Sequence, residues 1–271
     1  MSFPENNRTW QILKHASENN YAVGGYCVYN TDGVLAVIKA VEQKSSPTII
    51  QLFPWSMHFQ GAHFVRYVVE AAHAATVPIA VHLDQCIKES DVNLALTLPF
   101  DSIMIDASNA DTEASISFCK RIREQAQALG IAVEVELSRI EGGEDGVPAV
   151  EIQGVHLLAP SFGNVHGIYP GGDAENCWQL DRLRAISKSV GDRTFLALHG
   201  TRTVSNELLL QAVSCGVRKV NLNRTVRDGY TQFIAENSGQ LELTTLKEKA
   251  VEVYARDIAD MMGVFGSSYR T

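Results

Sequence analysis

The sequence lacks the marks of a secreted, membrane-spanning or nucleic-acid-binding chain. The stretch Met1-Ser2-Phe3-Pro4-Glu5-Asn6-Asn7-Arg8 has no apolar signal core. No apolar run reaches the roughly 20 residues that a spanning helix needs. The five cysteines, Cys27, Cys86, Cys119, Cys177 and Cys215, are an odd number with no Cys-x-x-Cys pair. Free thiols in a reducing, cytoplasmic setting are therefore expected. Positive charge is in deficit, with 23 Lys and Arg against 31 Asp and Glu and a net charge of −8. That balance argues against a nucleic-acid or anionic-membrane surface. It does not exclude an anionic small molecule, since a local arginine pair can hold a phosphate on an acidic protein. Internal repeats and low-complexity segments are absent as well.

What is present is ordinary globular composition, 45% hydrophobic and 20% charged, over 271 residues. That length suits one barrel domain of roughly 250 residues, so residues 1–271 are expected to form a single unit. Short β-branched runs alternate with amphipathic stretches. The strand candidates are 21–29, 48–53, 77–83, 102–106, 131–137, 155–159, 194–199 and 217–222. Helical candidates follow at 33–43, 62–75, 112–129, 180–190, 205–214 and 225–236, with a terminal helix at 243–265. Ser205 followed by Glu207 suits a helix start, and Gly130 and Gly216 stand where C-caps fall. Eight strand–helix units predict a closed parallel (β/α)8 TIM barrel carrying a C-terminal helix. An open doubly wound sheet is the alternative, and the count of eight fits closure better.

Two glycine-bearing loops break the rhythm, at 138–151 and 162–176. Both follow strand ends, where barrel enzymes build their sites, and such loops often serve as lids or binding loops. Polar residues gather at the same ends. His82-Leu83-Asp84-Gln85-Cys86 closes the third strand and Glu136 the fifth. Asn164, His166 and Gly167 follow the sixth, His199-Gly200 the seventh, and Asn221-Leu222-Asn223-Arg224 the eighth. A barrel brings these distant residues to one rim. Each histidine alone reads equally well as a buried, hydrogen-bonded core residue.

Taken in order, these motifs and several others resemble those of class II (metal-dependent) fructose- and tagatose-bisphosphate aldolases. The shared segments include Ile103-Met104-Ile105-Asp106-Ala107-Ser108, Glu134-Val135-Glu136-Leu137, Gly143-Glu144-Asp145-Gly146, His166-Gly167-Ile168-Tyr169, Leu198-His199-Gly200 and Lys219-Val220-Asn221. The likeness spans about residues 20–267. It implies an aldolase-type carbon–carbon lyase acting on an anionic, phosphorylated ketose-like substrate. A divalent metal, most simply zinc, would polarise the carbonyl and stabilise the enediolate. By motif, His166 and His199 match two metal ligands. Gln85 stands where the third histidine belongs, and Glu136 is the substitute donor. Asp84 matches the proton carrier at the substrate hydroxyl. Glu144, or Glu141 if the loop register shifts, matches the group that exchanges the proton at the nucleophilic carbon. The resemblance also implies a homodimer or homotetramer.

The anion pocket departs most from the family pattern. Gly167, Gly200, Asn221 and Asn223 keep their places, but Arg202 and Arg224 replace a serine and a threonine. Pro170, Phe53 and Cys27 replace a lysine, a small hydroxyl residue and an asparagine. A guanidinium pair suits a carboxylate or phosphate. Structural ion pairs on the rim are the plainer reading of both arginines. Together the changes predict an altered substrate rather than an ordinary ketose bisphosphate. Two other readings stand beside the lyase. One is a barrel that has lost its metal and binds a sugar phosphate or partner; the other is a metal-independent lyase or isomerase.

Overall fold

A computed structural model describes residues 5–106, 112–136 and 155–270. In chain order the elements are α1 (Arg8–Glu18), β1 (Val23–Cys27), α2 (Thr31–Lys44), β2 (Thr48–Leu52), α3 (Pro54–Phe59) and α4 (Gly61–Ala74). Next come β3 (Ile79–Cys86), α5 (Glu89–Ala95), β4 (Ser102–Asp106), α6 (Thr112–Ala128), β5 (Ala132–Glu136) and β6 (Leu157–Ala159). The chain then forms α7 (Leu180–Val190), β7 (Phe195–Leu198), α8 (Asn206–Ser214), β8 (Val217–Leu222), α9 (Arg224–Asn237) and α10 (Leu243–Val264). The strands pair in sequence order and β8 returns to β1, all in parallel, giving the closed eight-stranded barrel. Closure leaves no open sheet edge, so the doubly wound alternative is excluded.

Local chemistry sets the element boundaries. Asn7 and Asn30 accept the backbone N–H groups of Trp10 and Gly33, and Ser205 accepts that of Leu208, so α1, α2 and α8 begin on side-chain caps. Gly130 and Gly216 follow α6 and α8 with φ of +72° and +109°, as C-terminal turns require. The third strand departs from its expected span. It starts at Ile79 and runs on past Leu83 through Asp84, Gln85 and Cys86, because a bulge between Leu83 and Cys86 absorbs a residue against β4. Gln85 takes φ +52° there, left-handed and uncommon for a residue with a side chain.

Three helices were not anticipated: α1, α3 and α5. The first matters most. Its Trp10, Ile12, Leu13 and Ala16 form a buried cluster with Val23, Ile49, Ala80, Ala132, Leu157 and Phe195 from six strands. α1 therefore stoppers the end of the barrel where the strands begin, and leaves the opposite rim for chemistry. At the far end of the chain α10 lies along α2 and α9, and Tyr254 donates its hydroxyl to the Cys27 carbonyl at 2.6 Å.

Candidate active site

The interior of the barrel near its C-terminal rim is charged, which an apolar core tolerates only when charges are paired. Glu134 and Lys219 are fully buried, and their Oε2 and Nζ lie 2.8 Å apart. Glu134 Oε1 also accepts from His199 Nε2 at 2.7 Å. That bond fixes the tautomer. His199 Nδ1 is left facing Glu136 Oε2 at 3.7 Å, with His166 Nε2 at 3.9 Å from the same oxygen. Glu136 Oε2 is buried and has no hydrogen-bond donor among the described residues.

The charge balance shows what this cluster wants. Asp84, Glu134 and Glu136 are all buried, against the single ammonium of Lys219. Three carboxyl groups against one ammonium leave an excess of acidic groups. Burial lowers the affinity of His199 for a proton, but the Glu134 hydrogen bond and nearby carboxylates outweigh it and raise its pKa. Burial raises the Asp84 carboxyl, with His199 and Lys219 pulling the other way. His82 is held well below its usual value by burial and by Lys219, so it stays neutral beside Glu134, its Nδ1 paired with Ser102 Oγ at 2.8 Å. A divalent cation would complete the balance. Glu136, His166 and His199 each offer a ligand atom, all within 4.8 Å of one another, and this donor set fits the metal that the resemblance implies. His82, Asp84 and Glu134 are equally close together, but Lys219 already supplies their cation.

A cavity of about 230 Å³ opens beside this cluster. Asp84, Gln85, His166 and His199 line it, as do Gly167, Gly200, Arg202, Asn221, Asn223 and Arg224. Ten of the twelve residues singled out in the sequence thus line this cavity. Glu136 stands against the two histidines. Glu144 and its backup Glu141 lie outside the described residues, as does the loop 138–151. Asn221 Nδ2 lies 3.2 Å from Asp84 Oδ1 and orients that carboxylate. Asn223 turns inward to its neighbours, accepting from Tyr29 Oη at 2.8 Å and Arg227 Nε at 2.9 Å. Arg224 sits 3.9 Å from the exposed Asp228, a loose pair one helical turn away.

Several supporting residues escaped the sequence reading. Lys219 and Glu134 were visible only as parts of motifs, and their buried pairing could not be read from spacing. Arg227 also lines the cavity, its guanidinium 5.2 Å above the Tyr29 ring. One turn after Arg224 on α9, it carried an i, i+3 signal that would have found it. The loop before α7 is pinned rather than loose. Tyr169 donates to the Gly200 carbonyl at 2.6 Å and accepts from Trp178 Nε1 at 2.8 Å, while Asn164 donates to the His199 carbonyl at 3.1 Å. Gly200 is required there. It has φ +75°, and a Cβ would lie 2.6 Å from the Val165 carbonyl oxygen.

The barrel, its carboxylate–histidine cluster and the adjacent arginine-lined cavity define a carbonyl-lyase type of site at the strand C-termini. Comparison with known proteins gives the class its name. The sequence profile of class-II fructose-bisphosphate aldolase matches residues 7–270. A Coccidioides immitis chain that carries the provisional name fructose-bisphosphate aldolase is 37% identical, over 97% of this chain and 96% of its own. The fructose-bisphosphate aldolase of Thermus caldophilus is 31% identical over 85% and 87%. The crystal structure of the YdjI aldolase from Escherichia coli K12 superposes with a TM-score of 0.86 at 27% identity, covering 97% of both chains. The protein belongs to the class II fructose-bisphosphate aldolase family. It is an aldolase-type carbon–carbon lyase acting on a phosphorylated ketose, and the family depends on a divalent metal. No helix among the described residues is long and apolar enough to cross a membrane.

Proposed function

We propose that Glu136, His166 and His199 hold a divalent ion, zinc by the chemistry of two imidazoles and a carboxylate, with the Gln85 amide beside them. The observation that carries this reading is the buried Glu136 Oε2, without a hydrogen-bond donor among the described residues, facing both histidines in a cluster with an excess of acidic groups. A divalent ion held by these residues would supply Lewis-acid polarisation of the ketose carbonyl and stabilise the charge that develops as the carbon–carbon bond breaks. The protein residues do the rest. Asp84, held by Asn221, takes the proton of the hydroxyl whose carbon loses its bond. Glu134 and Lys219 fix the orientation of His199. Arg202, Arg224 and the backbone at Gly167 and Gly200 face the anionic group of the substrate, with Asn223 holding Arg227 in place. Glu144 is assigned the proton at the nucleophilic carbon on the resemblance alone.

The setting is cytoplasmic, in keeping with five free cysteines, and the working form is a homo-oligomer on the strength of the resemblance. The test is metal analysis of the purified protein together with a ketose-phosphate cleavage assay. About one divalent ion per chain, with cleavage abolished by a chelator and restored by zinc, is the expected result. Metal-free protein that binds a sugar phosphate without turnover, even after zinc is supplied, would establish the binding-protein reading instead.

A further inference from the structure

The two histidines proposed as metal ligands stand on different strand ends, His199 directly after β7 and His166 in the loop that follows β6. Their rings meet almost at right angles, 88°, with centroids 5.7 Å apart. Metal ligands need their geometry held to within roughly 0.5 Å. The sheet does not supply that constraint here. Its pairing of β6 with β7 ends at Leu158 and Leu196, short of both ligands.

The residues beside the ligands supply it instead. Val165 precedes His166 and Gly200 follows His199, and their backbones touch: a Cβ on Gly200 would lie 2.6 Å from the Val165 carbonyl oxygen and 3.0 Å from its nitrogen. The Tyr169 hydroxyl bridges this contact. It donates to the Gly200 carbonyl at 2.6 Å and accepts the Val165 N–H at 3.2 Å. Trp178 Nε1 fills its other acceptor position at 2.8 Å. A hydroxyl has one donor and two lone pairs, so Tyr169 Oη is saturated. Tyr169 is 1% exposed and is not among the residues that line the cavity. A second tie runs beside the first. Asn164 Nδ2 donates to the His199 carbonyl at 3.1 Å, while its Oδ1 accepts the Phe162 N–H at 3.0 Å.

Resting on the metal reading above, we propose that Tyr169 is a positioning residue for the ion. Its hydroxyl, with the Asn164 amide as the second tie, sets the separation of His166 and His199. The two ligands depend on it differently. His199 is also oriented from inside the barrel, by Glu134 at 2.7 Å. The His166 side chain is 44% exposed, and the tie one residue before it fixes where its ring starts. Removing the hydroxyl leaves the Val165 N–H and the Gly200 carbonyl without their shared partner, and the two loops are then free to part.

The test measures zinc affinity of the full chain by competition with a chromophoric chelator, a readout that needs no substrate. Tyr169→Phe keeps the ring and removes only the oxygen, and about tenfold weaker binding is expected. Trp178→Phe removes the third partner of the same hydroxyl while both ties remain. It should lower the urea midpoint yet leave zinc affinity within twofold. Asn164→Ala cuts the second tie and reads the same spacing should Tyr169→Phe not fold; about tenfold weaker binding is expected there too. With cobalt bound in place of zinc, Tyr169→Phe should alter the visible d–d bands, whereas Trp178→Phe should keep the parent spectrum. Unchanged affinity in Tyr169→Phe or in Asn164→Ala, or an equal loss in Trp178→Phe, overturns the proposal while zinc binding by the parent chain keeps the metal reading standing. A parent chain that binds no zinc overturns the metal reading, and this proposal with it.

Discussion

Removing the Lys219 ammonium tests the buried charge balance most directly. In Lys219→Met the side chain keeps its bulk while Glu134 loses a fully buried partner at 2.8 Å. Breaking such a pair from one side leaves an uncompensated charge and costs roughly 3–5 kcal/mol. Here Glu134 keeps the His199 hydrogen bond, so the low end, about 3 kcal/mol, is expected. The assay is equilibrium urea unfolding of metal-free protein at pH 7.5. In Glu134→Gln with Lys219→Met both charges go, and at least about 2 kcal/mol should return. Saturating zinc should rescue Lys219→Met more than the parent chain, because the site has become more negative. Glu134→Gln alone should weaken zinc binding about 10-fold or more, since the acceptor that orients His199 loses its negative charge and with it part of the ring's basicity. A Lys219→Met cost below about 1 kcal/mol, or a double variant no more stable than the single one, would refute the charge-balance reasoning.

Three further outcomes are expected. Gln85→His should tighten zinc at least tenfold by competition with a chromophoric chelator; φ +52° at this position is tolerable for histidine, and unchanged affinity would mean that residue 85 does not face the ion. His156 is buried, accepts the Val133 N–H at 2.9 Å and has its pKa pushed down to about 4 by burial and the Arg123 charge. The unfolded chain binds a proton below about pH 6.5 that the folded chain refuses until about pH 4. The neutral ring thus supplies stability above pH 6.5, lost as pH falls toward 4, up to about 3 kcal/mol. His156→Asn should flatten that part of the unfolding-versus-pH curve, and an unaltered slope would sink the assignment. Gly200→Ala should reduce kcat/KM at least tenfold with the circular dichroism spectrum retained, because its Cβ would push on Val165 beside His199; parent-like kinetics would refute the close contact.

The barrel was legible because its signals are local. β-branched runs mark the strands at 48–52, 102–106 and 217–222, and Ser205, Gly130 and Gly216 mark helix ends. The α1 stopper was less legible because its apolar stripe, Trp10, Ile12, Leu13 and Ala16, serves a tertiary purpose that no neighbouring strand announces. The span of β3 was misjudged because polar residues in a run normally end a strand, and here a bulge lets them continue it. The rim residues could be gathered from strand ends alone. The pairing of Lys219 with Glu134 could not, because both lie inside the barrel and 85 positions separate them.

The hydroxyl of Tyr254 that reaches the Cys27 carbonyl couples the terminal helix to the β1 side of the cavity. α10 also packs on α9, which bears two of the three arginines. One outer helix thus braces two walls of the cavity while contributing none of its lining residues. Selectivity in this protein can therefore drift by repacking at a distance, through substitutions that a comparison of pocket residues alone would score as silent.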